Sequence, residues 1–184
     1  MCLVTVATTL IAISDDDAEA YAVYSAYTND GLTGESHSLG DRRGTVLIAA
    51  RATMVAELNT LQRWRFMTGS LARLRSRQNP PGRALAIGLF LSNLGTPRFT
   101  RRFEIPAEYE LLDPAELTLP RVHERFPRSY GYITLSRAGF SFDGKEALFY
   151  TEHICGLCGG GEFVLMRKHG DRWAVVNRYS TWVS

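Results

Sequence analysis

The chain lacks the short motifs that mark the commonest enzyme classes. It contains no Gly-x-Ser-x-Gly elbow, no glycine-rich phosphate loop and no His-Glu-x-x-His pair, which removes the familiar serine-hydrolase, nucleotide-binding and zinc-protease arrangements. Four histidines, His37, His123, His153 and His169, keep no fixed spacing to an acid or a nucleophile. No catalytic set is therefore expected, and no cofactor. Long apolar runs are missing too: Met1 to Ile13 is apolar throughout, but it falls short of the roughly 20 residues that a membrane-spanning helix needs. Net charge is only +2, so whole-molecule attraction to a polyanion is not implied. Cysteines number three, and a chain of 184 residues can bury a proper core without staples. Neither an internal repeat nor a domain linker is visible.

What is present concentrates in the last third. Tyr130 to Arg137 alternates Ile133, Leu135 and Arg137 with Tyr132, Thr134 and Ser136, the period-2 pattern of a strand. Asp143-Gly144 marks a turn, and Glu146 to Ile154 forms a second strand with Leu148 and Tyr150 opposed to Phe149 and Thr151. Glu162 to His169 is a third, Gly170-Asp171 a further turn, and Arg172 to Val183 the last strand. Connections this short force antiparallel neighbours, because a parallel pairing needs a long crossover. A four-stranded meander is predicted.

Cys155-Gly156-Leu157-Cys158 lies between the second and third strands, followed by Gly159-Gly160-Gly161. Three readings fit it. A structural disulfide or buried thiol pair would staple the turn. A metal site could add His153, though no fourth ligand is nearby. Redox catalysis usually wants such a pair at a helix N-terminus, where the thiol pKa is lowered, and here a strand follows. Arg137, Glu152 and His153 could converge at one end of the sheet and are the weak pocket candidates.

The first two thirds read as helices and single strands. Ser14 to Asp17 supplies caps for a helix with a stripe of Ala20, Val23, Tyr24 and Tyr27, closed by Asn29-Asp30-Gly31. Thr45 to Arg51 is an inner strand. Thr53 would cap a second helix with Met54, Leu58, Leu61 and Trp64 on its apolar face, and Ser70 would start another. Arg83 to Asn93 is amphipathic through Leu85 and Leu89. Phe99 to Leu112 is extended, confined by Pro106 to an edge, and Asp113 to Pro127 is a loop or short turn. Residues 1–13 are a signal remnant or a first buried strand, and residues 14–184 form one α+β domain. Helices are expected on one face of a predominantly antiparallel sheet. Trp173 and Trp182 also suit the end of a curved NTF2-like sheet, which is the alternative fold.

Ser136-Arg137-x-Gly139-Phe140, Ala147-Leu148-x-Tyr150, Cys155-Gly156-x-Cys158-Gly159, Val164-Leu165, Gly170-x-x-Trp173 and Trp182-Val183-Ser184 together resemble a family of uncharacterised bacterial proteins. A looser match takes in Tyr21-x-Val23-Tyr24-Ser25 and Phe103 to Leu111. The resemblance implies a single exported or lipid-anchored domain of bacterial origin and carries over no activity and no functional residue.

One charge pattern stands above background. Asp and Glu are missing between Glu57 and Glu104, while Arg63, Arg65, Arg73, Arg75, Arg77, Arg83, Arg98, Arg101 and Arg102 fall there. A basic face without acids suits an anionic surface or an acidic partner. The plainer alternative is that the acids from Glu104 to Glu116 fold back onto it as surface ion pairs. Nucleic acid is disfavoured, since no recognition module is visible. The sequence is read as a non-catalytic exported binding or interaction domain with a Cys-stapled turn. The alternative is an enzyme or ligand-binding domain with a pocket at the open face of the sheet.

Overall fold

The computed structural model describes residues 18–33, 45–53, 59–74, 80–129, 131–156 and 158–184. The expectations for residues 1–13, for the caps at Ser14 to Asp17 and for Arg75 and Arg77 lie outside these, as do the side chains of Arg63 and Arg73. In chain order the elements are α1 (Ala18–Thr33), β1 (Val46–Ala49), α2 (Thr60–Leu74), α3 (Arg83–Ser92), β2 (Tyr109–Leu112), a single 3₁₀ turn (Pro114–Glu116), α4 (Leu119–Arg125), β3 (Tyr132–Leu135), β4 (Gly139–Phe140), β5 (Glu146–Ile154), β6 (Gly160–His169) and β7 (Arg172–Val183).

The expected meander is formed by β3, β5, β6 and β7, each antiparallel to the next. Its sheet is mixed, in the order β2-β1-β3-β5-β6-β7 with β4 beside β5. The difference lies in β1, which runs parallel to both β2 and β3. Long helical crossovers separate these strands in sequence, and that is what parallel neighbours require.

Helices cover both faces, which corrects the expectation of one. On the first face α1 lays Val23, Tyr24 and Tyr27 over Ile133, Phe149, Val164 and Trp173. On the second, Met67 of α2 and Leu85 and Leu89 of α3 pack on Leu148, Tyr150, Phe163 and Tyr179, while α4 covers Leu47 and Leu112 through Val122. The reason is strand parity: β5 is apolar on both sides from Ala147 to Thr151, and a strand buried on both faces needs a layer on each. An open cone of the NTF2-like kind does not form.

Several local expectations shift. Helix α1 runs through Gly31 to Thr33. Helix α2 opens at Thr60, capped reciprocally by Asn59 and Gln62: Gln62 N–H donates to Asn59 Oδ1 (3.0 Å) and Asn59 N–H to Gln62 Oε1 (2.9 Å). Ser70 is buried inside α2 rather than starting a new helix. Leu61 and Trp64 face outward. The stretch from Asp113 to Pro127 holds α4, with proline in its first turn, a position that tolerates the missing N–H.

The break between β3 and β4 is held by side chains. Tyr24 Oη donates to the Ser136 carbonyl (3.0 Å) and accepts from Ala138 N–H (2.9 Å). Asn93 accepts from Arg137 N–H (2.8 Å) and donates to the Arg137 carbonyl (2.8 Å). Ser136 Oγ accepts from Tyr150 N–H (2.8 Å). Buried backbone groups that leave a sheet ladder must find partners, and here side chains supply them. Gly139 lets α3 approach β4 backbone to backbone: a Cβ there would sit 2.1 Å from the Leu89 nitrogen.

Candidate functional site

The last strands end in a turn closed by a disulfide between Cys155 and Cys158, whose Cα atoms are 5.3 Å apart. Gly156 adopts a φ of 77° within it, a left-handed conformation that glycine reaches without steric cost. Ser184 completes the closure, its N–H donating to the Gly159 carbonyl (2.9 Å) and its Oγ accepting from Gly159 N–H (2.9 Å). On the second face, Trp182 Nε1 donates to Tyr150 Oη (3.1 Å), which donates to Glu152 (3.1 Å). Gly161 lies under that pair, and a Cβ on it would come within 2.3 Å of both.

Beneath the stapled turn, on the α1 face, lies a recess of about 200 Å³. Tyr27 of α1, His153 of β5, Glu162 of β6 and Arg178 and Ser180 of β7 line it, with Cys158 at its rim. Arg178 Nη1 donates to Glu162 (2.6 Å) and Nη2 to Asp30 (2.7 Å), and the guanidinium stacks over the Tyr27 ring at 4.9 Å. Tyr27 Oη donates to the same Glu162 oxygen (3.3 Å). Burial alone would loosen the Arg178 proton, but the Asp30 bond and the Glu162 charge outweigh it and hold the cation more firmly. Burial, reinforced by Glu162, keeps the Tyr27 phenol protonated far into the alkaline range. His153 is half-buried, and burial holds its imidazole below the ordinary value of 6.5. Its ring is therefore neutral at physiological pH.

The three pocket candidates do not converge. His153 enters the recess. Glu152 precedes it along β5 and so projects to the opposite face, beside Tyr150. Arg137 leaves β3 and borders a small cleft with Tyr21, Tyr24 and Phe99. The metal alternative loses its ligands, since both sulfurs are tied in the disulfide and no group of three His, Cys, Asp or Glu is close enough among the described residues.

No protein-family model, curated protein or solved structure matches the chain. The geometry of the recess therefore carries its interpretation alone. Sequence reasoning missed Tyr27, Glu162 and Arg178. Parity placed Glu162 on the side of Val164 and Met166, so an inward carboxylate was readable. Arg178 was not, because a register shift between Leu165 and Met166 reverses parity along β7.

The expected basic face also divides. Arg98 pairs with Asp113 (2.7 Å) and Arg101 with Glu110, so at these two the acids fold back as the plainer alternative has it. Arg102 stacks on Tyr21 of α1, across the sheet from α2. Arg101 and Arg102 thus do not join Arg65 in one patch.

Proposed function

We propose that the chain is a non-catalytic binding domain from an exported bacterial protein, and that the recess under the stapled turn receives a partner's protruding side chain. The observation behind this is the closure of the recess's charges on one another: Arg178 answers both Glu162 and Asp30, and Tyr27 donates to Glu162. His153 also lines the recess and takes no part in these bonds, so it is the group on which the enzyme alternative rests. Size favours the binding reading. At about 200 Å³ the recess falls below the roughly 300–1,000 Å³ of ordinary small-molecule sites and suits one side chain. The disulfide supports export.

A random peptide library panned against the oxidised protein tests the idea, with Ser180→Trp filling the recess from an exposed strand position. Enriched peptides should lose about tenfold or more of their affinity for the variant, as expected when a central pocket contact is removed. Equal binding to both proteins would remove the recess as the site. Chemical change in a peptide that His153→Ala abolishes would instead make His153 a catalytic base and support the enzyme alternative.

A further inference from the structure

Helix α3 is apolar on every side. Leu85 and Leu89 face the core, while Ile87, Leu91 and, just beyond the helix, Leu94 form an outward stripe at spacings of four and three. A helix apolar all round is normally enclosed, yet this stripe is bare. Leu61 and Trp64 of α2 add to it, and the five side chains range from 40% exposed at Trp64 to 60% at Leu61. Trp64 meets Phe90 edge-on at 4.7 Å, and a groove of about 260 Å³ runs between the helices, lined by Trp64, Met67, Ala86, Ile87 and Arg83 with no carboxylate.

The charges carried by α2 and α3 have one sign. Arg65 and Arg83 are exposed and in no ion pair among the described residues, and the chain carries no acid from Leu58 to Phe103. Arg98, Arg101 and Arg178, by contrast, each meet a carboxylate.

We propose that the outer face of α2 and α3 docks on an anionic lipid bilayer. Aliphatic side chains with a tryptophan at the border and arginines beside them are what an interfacial helix presents, apolar groups entering the acyl boundary and cations meeting the headgroups. No helix among the described residues is long and apolar enough to cross a membrane, so the contact is superficial. A second copy of the chain is a poorer occupant, because a two-fold contact would bring Arg65 and Arg83 of both copies together without carboxylates between them.

Vesicle co-sedimentation decides. The oxidised protein should pellet with phosphatidylcholine vesicles containing phosphatidylglycerol and stay free of phosphatidylcholine alone, with binding falling as salt rises. Ile87→Glu with Leu91→Glu should weaken binding by about a hundredfold, two apolar anchors being exchanged for repelled charges, and Arg83→Glu by about fivefold or more. Should the double variant unfold, brominated acyl chains give the answer in the native protein: quenching of fluorescence that Trp64→Phe abolishes supports the proposal, and quenching that survives it overturns it. Failure to bind the mixed vesicles, equal binding to both kinds, or a dimer that dissolves in the Ile87/Leu91 variant would each overturn it as well.

Discussion

The recess under the stapled turn and the outer surface of α2 and α3 treat charge in opposite ways. Under the stapled turn Arg178 lies between Asp30 and Glu162, and at the other end of the same strands Lys168 and Trp173 both donate to Glu19 (2.6 and 2.7 Å). On the outer surface of α2 and α3, Arg65 and Arg83 stand in no ion pair among the described residues, beside exposed leucine and isoleucine. The contrast shows what each surface can give up. A partly buried ion network is stable only when complete, because removing one member strands the others away from water. Exposed arginines on a helix cost almost nothing to change. The charges of the first surface hold the fold together where they frame the recess, whereas those of the second add little to the fold.

The strongest way to break the contrast is to dislodge the helix that presents the apolar stripe. Gly139→Ala places a methyl group 2.1 Å from the Leu89 backbone nitrogen, and neither backbone can yield cheaply. A loss of about 3 kcal/mol or more is expected in urea unfolding. Arg178→Met comes next: it leaves Glu162, mostly buried, with only the Tyr27 hydroxyl and should cost about 2 kcal/mol, whereas Arg65→Met or Arg83→Met should stay within about 0.5 kcal/mol of wild type. Equal effects at Arg178 and Arg83 would erase the distinction drawn here. Replacing Cys155 and Cys158 with serine opens a loop of only four residues and should lower stability by roughly 2 kcal/mol.

The smallest effect is one of pH. Burial depresses the folded-state pKa of His153, so the unfolded chain takes up its proton first as pH falls. Stability tied to this residue is complete above about 6.5 and declines below that value, levelling once the folded imidazole is also protonated. His153→Phe should flatten that part of the stability–pH curve, and an unchanged slope in the variant would show that the ring is not desolvated.

Much of the meander was readable because its signals are local. Alternation from Ile133 to Leu135 and from Ala147 to Thr151, together with Asp143-Gly144 and Gly170-Asp171, needs no knowledge of partners. The helix from Arg83 was readable for the same reason. The parallel placement of β1 was not, because pairing between Ile48 and Ile133 is a contact across the chain that no local pattern encodes. Nor was the outward turn of Leu61 and Trp64. Both fit an apolar stripe by spacing, and only the position of α3 shows that the packed side of α2 is Phe66 and Met67. At the site, Cys155, Cys158 and His153 were visible as residue types, but Glu152 and His153 are sequence neighbours, and strand geometry sends neighbours to opposite faces. Ser136, Gly139, Gly161, Trp182 and Ser184 are architecture, each closing a backbone gap or clearing space for a neighbour.

The most direct test of the central claim is amide chemical-shift mapping of the oxidised protein titrated with a peptide selected on it. Saturable shifts confined to Gly160 to Glu162 and Arg178 to Trp182, with the peptide recovered intact, are the predicted result. Shifts centred on α2 and α3, or a chemically altered peptide, would contradict the assignment of the recess as a non-catalytic binding site.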